Sequence, residues 1–169
     1  MFKKILSGAQ TGADISGLIA AKSKGIETGG WIPKGFKTQA GNKPEYKELY
    51  NIQEHESDKY PPRTFLNVKE SDGTIRFATD FNSSGEKCTL KAIQQYNKPY
   101  FDVHINNVNE FKLPLECHPK SALEWIKKNN IQILNVAGNS EKTSPGIGKF
   151  VERYILKLIE LLNEKENNI

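Results

Sequence analysis

Short apolar strand patterns alternate with amphipathic helix patterns along most of the chain. This order, with brief connections, is typical of a parallel sheet covered by helices on both faces. The pattern predicts an α/β fold, a Rossmann-like three-layer parallel sheet, in which right-handed crossovers bring the carboxyl ends of the strands to one edge. The predicted strands are Lys3–Ser7, Glu27–Trp31, Gly73–Thr79, Pro99–Ile105 and Gln132–Ala137, with a minor strand at Leu49–Glu54.

Predicted helices lie between these strands. The first follows the loop after the first strand and ends near Gly25, a residue that suits a helix C-cap. The last begins at Pro145 and carries a long apolar face, which offers a surface for a homo-oligomer. The others are Arg63–Lys69, Gly85–Tyr96 and Pro119–Asn129, the last of these capped near His118.

The length and the charge of the chain exclude several classes of function. A chain of 169 residues suits one domain, so we expect residues 1–169 to form a single Rossmann-like ligand-binding domain. The net charge of +4 comes from basic residues interspersed with acids, which does not indicate nucleic-acid binding. No apolar stretch suits a membrane span or signal peptide, and Cys88 and Cys117 lack zinc-site spacing. We therefore expect a cytoplasmic protein with no metal site and no membrane partner.

Four loops after predicted strands are rich in Gly, Ser and Thr. They are SGAQTGAD (7–14), GGWIPKGF (29–36), TDFNSSGEKCT (79–89) and AGNSEKTSPGIG (137–148). All four are expected at the edge where ligands of open α/β sheets bind. Main-chain N–H groups and helix N-termini bind phosphate there. A single loop of this kind is equally well explained as a tight turn, but four at one edge favour a site for a small phosphate-bearing ligand.

Individual side chains in these segments have two interpretations. Asp14 either complements the dipole of its helix or binds a ribose hydroxyl or a cation. Trp31 either stacks on a base or closes the core, and Lys34 is either a phosphate partner or a solvated lysine. Arg63 either contacts the ligand or forms a salt bridge with Asp72 at the far end of its helix. The residues alone leave these alternatives open.

Taken in order, SGAQTGAD, GGWIPKG, RTFLNVKESDGTI and NVAGNSEKTSPGI resemble the circularly permuted YpsA-like branch of the SLOG superfamily, a group often called molybdenum carrier proteins. The resemblance runs from Ile5 to about Leu162. It implies a Rossmann-like fold related to the LOG, or lysine-decarboxylase-like, proteins and a pocket for a nucleotide-derived ligand. The positions that match the motifs are Gly8, Gln10, Thr11, Gly12 and Asp14, then Gly30, Trp31, Pro33, Lys34 and Gly35, then Arg63, Asn67 and Asp72, and finally Gly138, Ser144, Pro145 and Gly146.

One segment departs from the family pattern. Ser84, Gly85 and Glu86 stand where the family usually has a Gly-Gly-Thr turn, and a carboxylate there repels phosphate unless it contacts a ribose, a base edge or a cation. The chain also lacks the PGG-x-GT-x-x-E signature of the phosphoribohydrolase relatives and a Walker lysine. We therefore expect a binding protein with a sensing, carrier or sequestering role rather than an enzyme.

Two alternatives remain open. In the first, the protein is a hydrolase of nucleotide N-glycosidic or phosphoester bonds, with Glu86 and Asp14 as acid and base. In the second, it carries molybdenum cofactor, which also contains a phosphate. The sequence assigns no cofactor beyond these two ligand classes. In either case, replacing Gly12 by Val is expected to abolish ligand binding while the protein still folds.

Overall fold

The computed structural model describes residues 3–106 and 119–166. In this part of the chain, six parallel strands form one sheet in the order β5-β2-β1-β8-β6-β7, and two further strands form a hairpin, β3-β4. The strands are β1 Lys4–Leu6, β2 Glu27–Ile32, β3 Lys37–Thr38, β4 Gly41–Asn42, β5 Ile52–Glu54, β6 Gly73–Ala78, β7 Tyr100–His104 and β8 Ile133–Gly138.

Helices cover both faces of this sheet, which confirms the predicted α/β, Rossmann-like three-layer fold. Along β6, Phe77 packs against α6 through Tyr154, whereas the next residue towards the N-terminus, Arg76, bonds to the main chain of Glu86 in α4. Successive strand residues point to opposite faces, so α6, with α1 and α5, lies on one face, and α4 with α3 on the other. The helices are α1 Ala13–Ser23, α2 Tyr46–Tyr50, α3 Tyr60–Glu70, α4 Ser84–Tyr96, α5 Lys120–Lys128 and α6 Ile147–Glu166.

Local chemistry explains where element boundaries differ from the prediction. Helix α3 begins three residues earlier than predicted, because prolines in its first turn suit a helix start. Strand β5 starts only at Ile52, because the residues before it form α2, which ends at Asn51 in a left-handed conformation. Helix α6 starts at Ile147 rather than Pro145. The predicted cap at His118, like Cys117, lies outside the described residues.

The apolar face of α6 is part of the core rather than an exposed surface. Ile147, Val151, Ile155 and Leu158 are fully buried, and α6 packs extensively against α1. Each such side chain contributes roughly 1.5–3 kcal/mol through removal from water. The homo-oligomer surface expected from this face is therefore absent there. Among the described helices, none combines the length and apolar character needed to cross a membrane.

Adjacent strands at the centre of the sheet bring three loops together. Strand β8 pairs with β1 on one side and with β6 on the other, so the segments that follow Leu6, Ala78 and Gly138 leave the same edge. Helices α1 and α4 leave this edge towards opposite faces, which opens a crevice of the kind that holds ligands in doubly wound sheets.

A close approach between β1 and β2 makes one glycine indispensable to this edge. Gly30 has φ 131°, and a Cβ at this position would lie 2.0 Å from the carbonyl oxygen of Ser7. Gly41, in the hairpin, also has positive φ (95°), but a Cβ there would meet no atom within 4 Å. The two positions therefore separate the effect of backbone conformation from that of steric overlap.

We expect Gly30→Ala to lower the free energy of unfolding by at least about 2 kcal/mol more than Gly41→Ala, whose cost is limited to about 1 kcal/mol by its unfavourable φ alone. Denaturant unfolding of the two variants measures the difference. Equal losses would show that β1 and β2 move apart without cost at this point.

Candidate functional site

A cavity of about 420 Å³ opens at the carboxyl edge of the sheet. We call it the rim cavity. Its walls are the loop after β1, the first turn of α4, the loop after β8, one side of α3 and Gln39 at the tip of the β3-β4 hairpin. The predicted site residues that line it are Gly8, Gln10, Thr11, Asp14, Arg63, Asn67, Ser84, Gly85, Glu86 and Gly138.

Arg63, in the first turn of α3, is a nearly buried cation of this cavity. Its side chain is 11% exposed, and Nη1 lies 3.7 Å from Oδ2 of Asp14, beyond hydrogen-bond distance. Its guanidinium also lies over the ring of Tyr60 and close to the main chain of Gly8, where a Cβ would be 1.6 Å from Nη1. The glycine at position 8 is thus what admits the guanidinium.

No described residue accepts a hydrogen bond from Arg63. Nε is buried without a partner, and within the described part of the chain the terminal nitrogens have only the ion pair to Asp14. An arginine carries five N–H donors in a planar fork that suits carboxylate and phosphate. Such donors are normally satisfied when buried. The arrangement is therefore suited to an anion held in the cavity.

The first turn of α4 supplies further donors beside this arginine. Ser83 caps the helix, and its side chain accepts from the N–H of Glu86. The N–H groups of Ser84 and Gly85 have no partner among the described residues, and both residues line the cavity. A helix N-terminus with free N–H groups is a favourable place for an anion.

Glu86 is held at the same helix end by side-chain donors. The residue is 3% exposed, and its Oε2 accepts from Nδ2 of Asn139 at 2.9 Å and from Oγ of Ser83 at 3.2 Å. Its main-chain carbonyl accepts from Nη1 of Arg76, whose other nitrogens form a bidentate pair with Asp102. The main-chain carbonyl of Glu86 is therefore held by Arg76 of the sheet, and its carboxyl by Asn139 of the loop after β8.

Burial shifts the acidity of both cavity carboxyls. It raises the pKa of Asp14 from 3.8 to about 6, although the positive charge of Arg63 and the N–H of Gln10 act in the opposite direction. Burial, reinforced by the charge of Asp14, raises the pKa of Glu86 from 4.5 to about 7. Near neutral pH the cavity thus holds an ionised Asp14 and a partly protonated Glu86.

Asn139 connects the segments that build this edge. Its Oδ1 accepts from the N–H groups of Thr79 and Asp80 and from Oγ of Ser144, while its Nδ2 donates to the carbonyl of Asp80 and to Glu86. The loops after β6 and β8 and the start of α4 are therefore joined through one amide side chain. Thr79 and Ser144 also form a short hydroxyl–hydroxyl hydrogen bond.

Comparison with known proteins identifies the family. Residues 5–159 match the model of the Circularly permutated YpsA SLOG family. The chain belongs to this family. It is also similar to the crystal structure of the "Putative molybdenum carrier protein" from Syntrophus aciditrophicus SB, with 32% identity, a TM-score of 0.78 and coverage of 95% of this chain and 94% of that chain. No curated protein matches the sequence. The resemblance seen in the motifs is thereby confirmed.

The second motif of this YpsA SLOG chain does not line the rim cavity. Trp31 donates from Nε1 to Glu70, and its main chain pairs with the side-chain amide of Asn67. The N–H of Lys34 bonds to the carbonyl of Ser57. Because the segment after β2 bonds to residues after β5 and on α3, the structure places Gly30, Trp31, Pro33, Lys34 and Gly35 outside the cavity.

Asp72 lies at the opposite edge of the sheet. Its Oδ2 accepts from the N–H groups of Gln132 and Ile133, at the start of β8. The expected alternative of a salt bridge between Asp72 and Arg63 is therefore wrong, since Arg63 pairs with Asp14 at the carboxyl edge.

The second half of the last motif supports the site without lining it, although Gly138 in the first half lines the cavity. Ser144 is fully buried and bonds to Asn139, while the N–H groups of Gly146 and Gly148 donate to the carboxylate of Glu141. The N-terminus of α6 is therefore already capped by an acid of the chain. Ser144, Pro145 and Gly146 lie outside the cavity.

Gly12 also has a supporting role. It has φ 84°, and a Cβ would lie 2.5 Å from the carbonyl oxygen of Asn139. A valine there would force the loops after β1 and β8 apart. We therefore expect Gly12→Val to impair folding, contrary to the expectation from the sequence. This variant cannot separate an effect on ligand binding from an effect on folding.

Several cavity residues were not predicted as site residues, although most of them lie inside the quoted loops and motifs. They include Tyr60, Thr64, Ser83, Cys88, Thr89, Asn135 and Asn139. Ser83 could have been predicted as the N-cap of α4. Asn139 lies inside a quoted loop, but its position in the sequence does not show which groups it bonds.

The cavity offers neither a reactive thiol nor a metal site among the described residues. Burial raises the pKa of the Cys88 thiol, which does not favour a reactive thiolate. Among the described residues, no group of three or more potential ligands suits a metal ion.

The raised pKa of Glu86 predicts a pH-dependent cost to stability. The pKa of Glu86 is about 4.5 in the unfolded chain and about 7 in the folded protein. Its carboxyl therefore stabilises the fold fully below about pH 4.5, and this contribution is lost as the pH rises through about 7. Relative to wild type, Glu86→Gln should therefore gain stability over this range, by up to about 3 kcal/mol. Denaturant unfolding at a series of pH values measures the gain.

Glu124→Gln provides the matched control, because Glu124 is an exposed glutamate on α5. Its stability should follow that of wild type at each pH. A constant difference between Glu86→Gln and wild type across the range would contradict the perturbed acidity of Glu86.

Proposed function

We propose that the protein binds a nucleotide-derived small molecule through its phosphate group in the rim cavity, in a sensing, carrier or sequestering role. The observation that carries the proposal is Arg63, a nearly buried guanidinium in the cavity wall with no hydrogen-bond acceptor among the described residues. A buried polar group without a partner costs roughly 1–3 kcal/mol, more when charged. A ligand oxygen would remove that cost.

The neighbouring helix end supports the same location for the phosphate. Ser84 and Gly85 offer two main-chain N–H groups, and a Cβ at Gly85 would meet no atom within 4 Å, so the approach is open. The cavity volume lies in the range of small-ligand sites, which is about 300–1,000 Å³. The carboxyls of Asp14 and Glu86 are suited to accept hydrogen bonds from ribose hydroxyls.

The name of the Syntrophus protein suggests a second ligand class. Molybdenum cofactor is a pterin with a phosphate, and the same donors would hold that phosphate. No cluster of potential metal ligands occurs among the described residues, so binding of this cofactor would rest on its organic part. Metal analysis of the purified protein distinguishes this alternative from a metal-free nucleotide.

Hydrolysis of an N-glycosidic or phosphoester bond is a second candidate function. The observation that favours it is the pair of cavity carboxyls whose pKa values, about 6 and about 7, lie near neutrality, as general acid–base catalysis requires. Chromatography of nucleotides after incubation with the protein detects turnover.

Four other expectations from the sequence stay predictions: the cytoplasmic location, the single-domain organisation, the absence of a nucleic-acid partner and the homo-oligomeric state.

We expect wild type to bind at least one member of a panel of AMP, cyclic AMP and ADP-ribose, and Arg63→Gln to bind it roughly tenfold to a hundredfold more weakly, because a charge-assisted pair is lost. Native mass spectrometry identifies the ligand and calorimetry measures its affinity. Lys34→Gln removes the same charge outside the cavity and should bind like wild type. Equal affinities for all three proteins would exclude Arg63 from the site.

A proline at position 84 tests the helix end separately. Ser84 is the first residue of α4, a position that favours proline, and Ser83 has φ −60° and ψ 153°, which a following proline accepts. Ser84→Pro removes one free N–H without disturbing the helix. We expect unchanged or higher thermal stability and roughly threefold to tenfold weaker binding of the panel ligand. Unchanged binding would place the phosphate away from α4.

A further inference from the structure

The hydrogen bonds around Glu86 determine which of its two oxygens can carry a proton. Oε2 accepts from the amide Nδ2 of Asn139, which can only donate. It also accepts from Oγ of Ser83, and that hydroxyl in turn accepts from the N–H of Glu86, so its hydrogen is available for Oε2. When Asn139 and Ser83 both donate to Oε2, Oε1 is the oxygen of Glu86 that is left to carry a proton.

Oε1 is the oxygen that remains available to the cavity. Glu86 lines the cavity, and no described residue donates to or accepts from Oε1. Oε1 is also not among the buried polar atoms without a partner, so it retains contact with the cavity space. A neutral Glu86 therefore offers one directed O–H donor beside the donors of Arg63 and the first turn of α4.

We propose that Glu86 binds the ligand as a neutral carboxylic acid, donating Oε1–H to an oxygen of the bound anion, and that Asn139 is the positioning residue that keeps the proton on Oε1. This inference rests on the proposed function and adds that anion binding is coupled to proton uptake. It also removes the conflict noted in the sequence, where a carboxylate replaces part of a glycine turn. In its neutral form this side chain attracts a phosphate oxygen.

Burial and the charge of Asp14 favour the neutral form of Glu86, and together they raise its pKa by more than the hydrogen bonds from Asn139 and Ser83 lower it. Asp14, from α1, is negative and opposes ionisation of Glu86, in the same direction as burial. Arg63 from α3 faces both acids, and Cys88 lies two residues after Glu86 on α4 itself. A bound anion would add negative charge at this point and favour protonation further.

The other nearby cation is already occupied. Arg76, from β6, forms a bidentate pair with Asp102 of β7 at 2.6 and 2.8 Å, and its ring contacts with Phe81 and Tyr100 fix the guanidinium. It reaches Glu86 by a hydrogen bond to the main-chain carbonyl rather than to the carboxyl. Arg76 therefore lowers the pKa of Glu86 less than burial and Asp14 raise it.

The test uses sulfate, because its charge stays constant across the relevant pH range whereas that of phosphate does not. We expect calorimetry on wild type to show sulfate affinity falling roughly tenfold between about pH 6 and about pH 8, since only the protonated protein binds fully. Titrations in buffers of different ionisation enthalpy should show net proton uptake. Affinity that does not change with pH would overturn the inference.

Glu86→Gln imitates the neutral acid, since its amide can accept from Asn139 and donate to the anion. Between about pH 7 and about pH 8, where Asp14 is already largely ionised, this variant should bind sulfate with unchanged affinity and without proton uptake. Asp14→Asn should keep the loss of affinity but shift it to lower pH, because one charge that opposes ionisation of Glu86 is removed. Circular dichroism confirms that each variant is folded.

The outcomes separate the two proposals. Loss of sulfate binding by a folded Glu86→Gln at both pH values would overturn the role of Glu86 as a donor, as would a pH dependence that persists in it. Absence of sulfate binding by wild type at every pH would overturn the inference too. The proposed function is judged separately by the nucleotide panel, because binding of any member at one fixed pH supports it whatever the pH dependence of that binding.

Discussion

The amide side chain of Asn139 is the interaction on which the geometry of the rim cavity depends. It satisfies main-chain groups of the loop after β6, a hydroxyl near the start of α6 and the carboxyl of Glu86. These groups are buried or partly buried, so each would incur a desolvation cost without it. The ends of β6 and β8 are held together by pairing within the sheet, but among the described residues Asn139 is the one side chain that links both to the carboxyl at the start of α4.

The binding properties of the rest of the cavity depend on which polar groups near Asn139 have no partner among the described residues. The N-terminus of α6 is capped by Glu141 of its own loop, whereas the first N–H groups of α4 are free. Two helix ends at the same edge therefore differ in what they can bind. The free helix end of α4 lies beside Arg63 and forms the proposed anion site, whereas the loop after β2 is bonded to α3 and to the residues that follow β5.

The fold could be read from the sequence because it depends on local periodicity. Alternating strand and helix patterns are properties of short windows, and they survive the formation of tertiary structure. The first loop and the start of α4 were also found, since glycine-rich turns between a strand and a helix carry their own signal. The family match then confirmed the family and the fold that the motifs implied.

Local periodicity could not predict which residues each site side chain contacts. Arg63 and Asp72 lie near one another in sequence, yet α3, with 11 residues, is roughly 16 Å long and carries them to opposite edges of the sheet. Asp14 and Arg63 are far apart in sequence and meet at the carboxyl edge, although α1 and α3 follow β1 and β5, two strands that β2 separates. Asn139 has no periodic signal at all, because its role exists only where three segments converge.

The balance of charge in the rim cavity has a consequence for how a ligand is recognised. Among the described lining residues, Arg63 is the only cation, and no lysine or histidine accompanies it. Recognition must then come from directed hydrogen bonds within a partly enclosed space rather than from long-range attraction. Bonds of this kind are screened little by dissolved salt, so the protein would retain its ligand at ionic strengths that release anions from an ordinary basic surface.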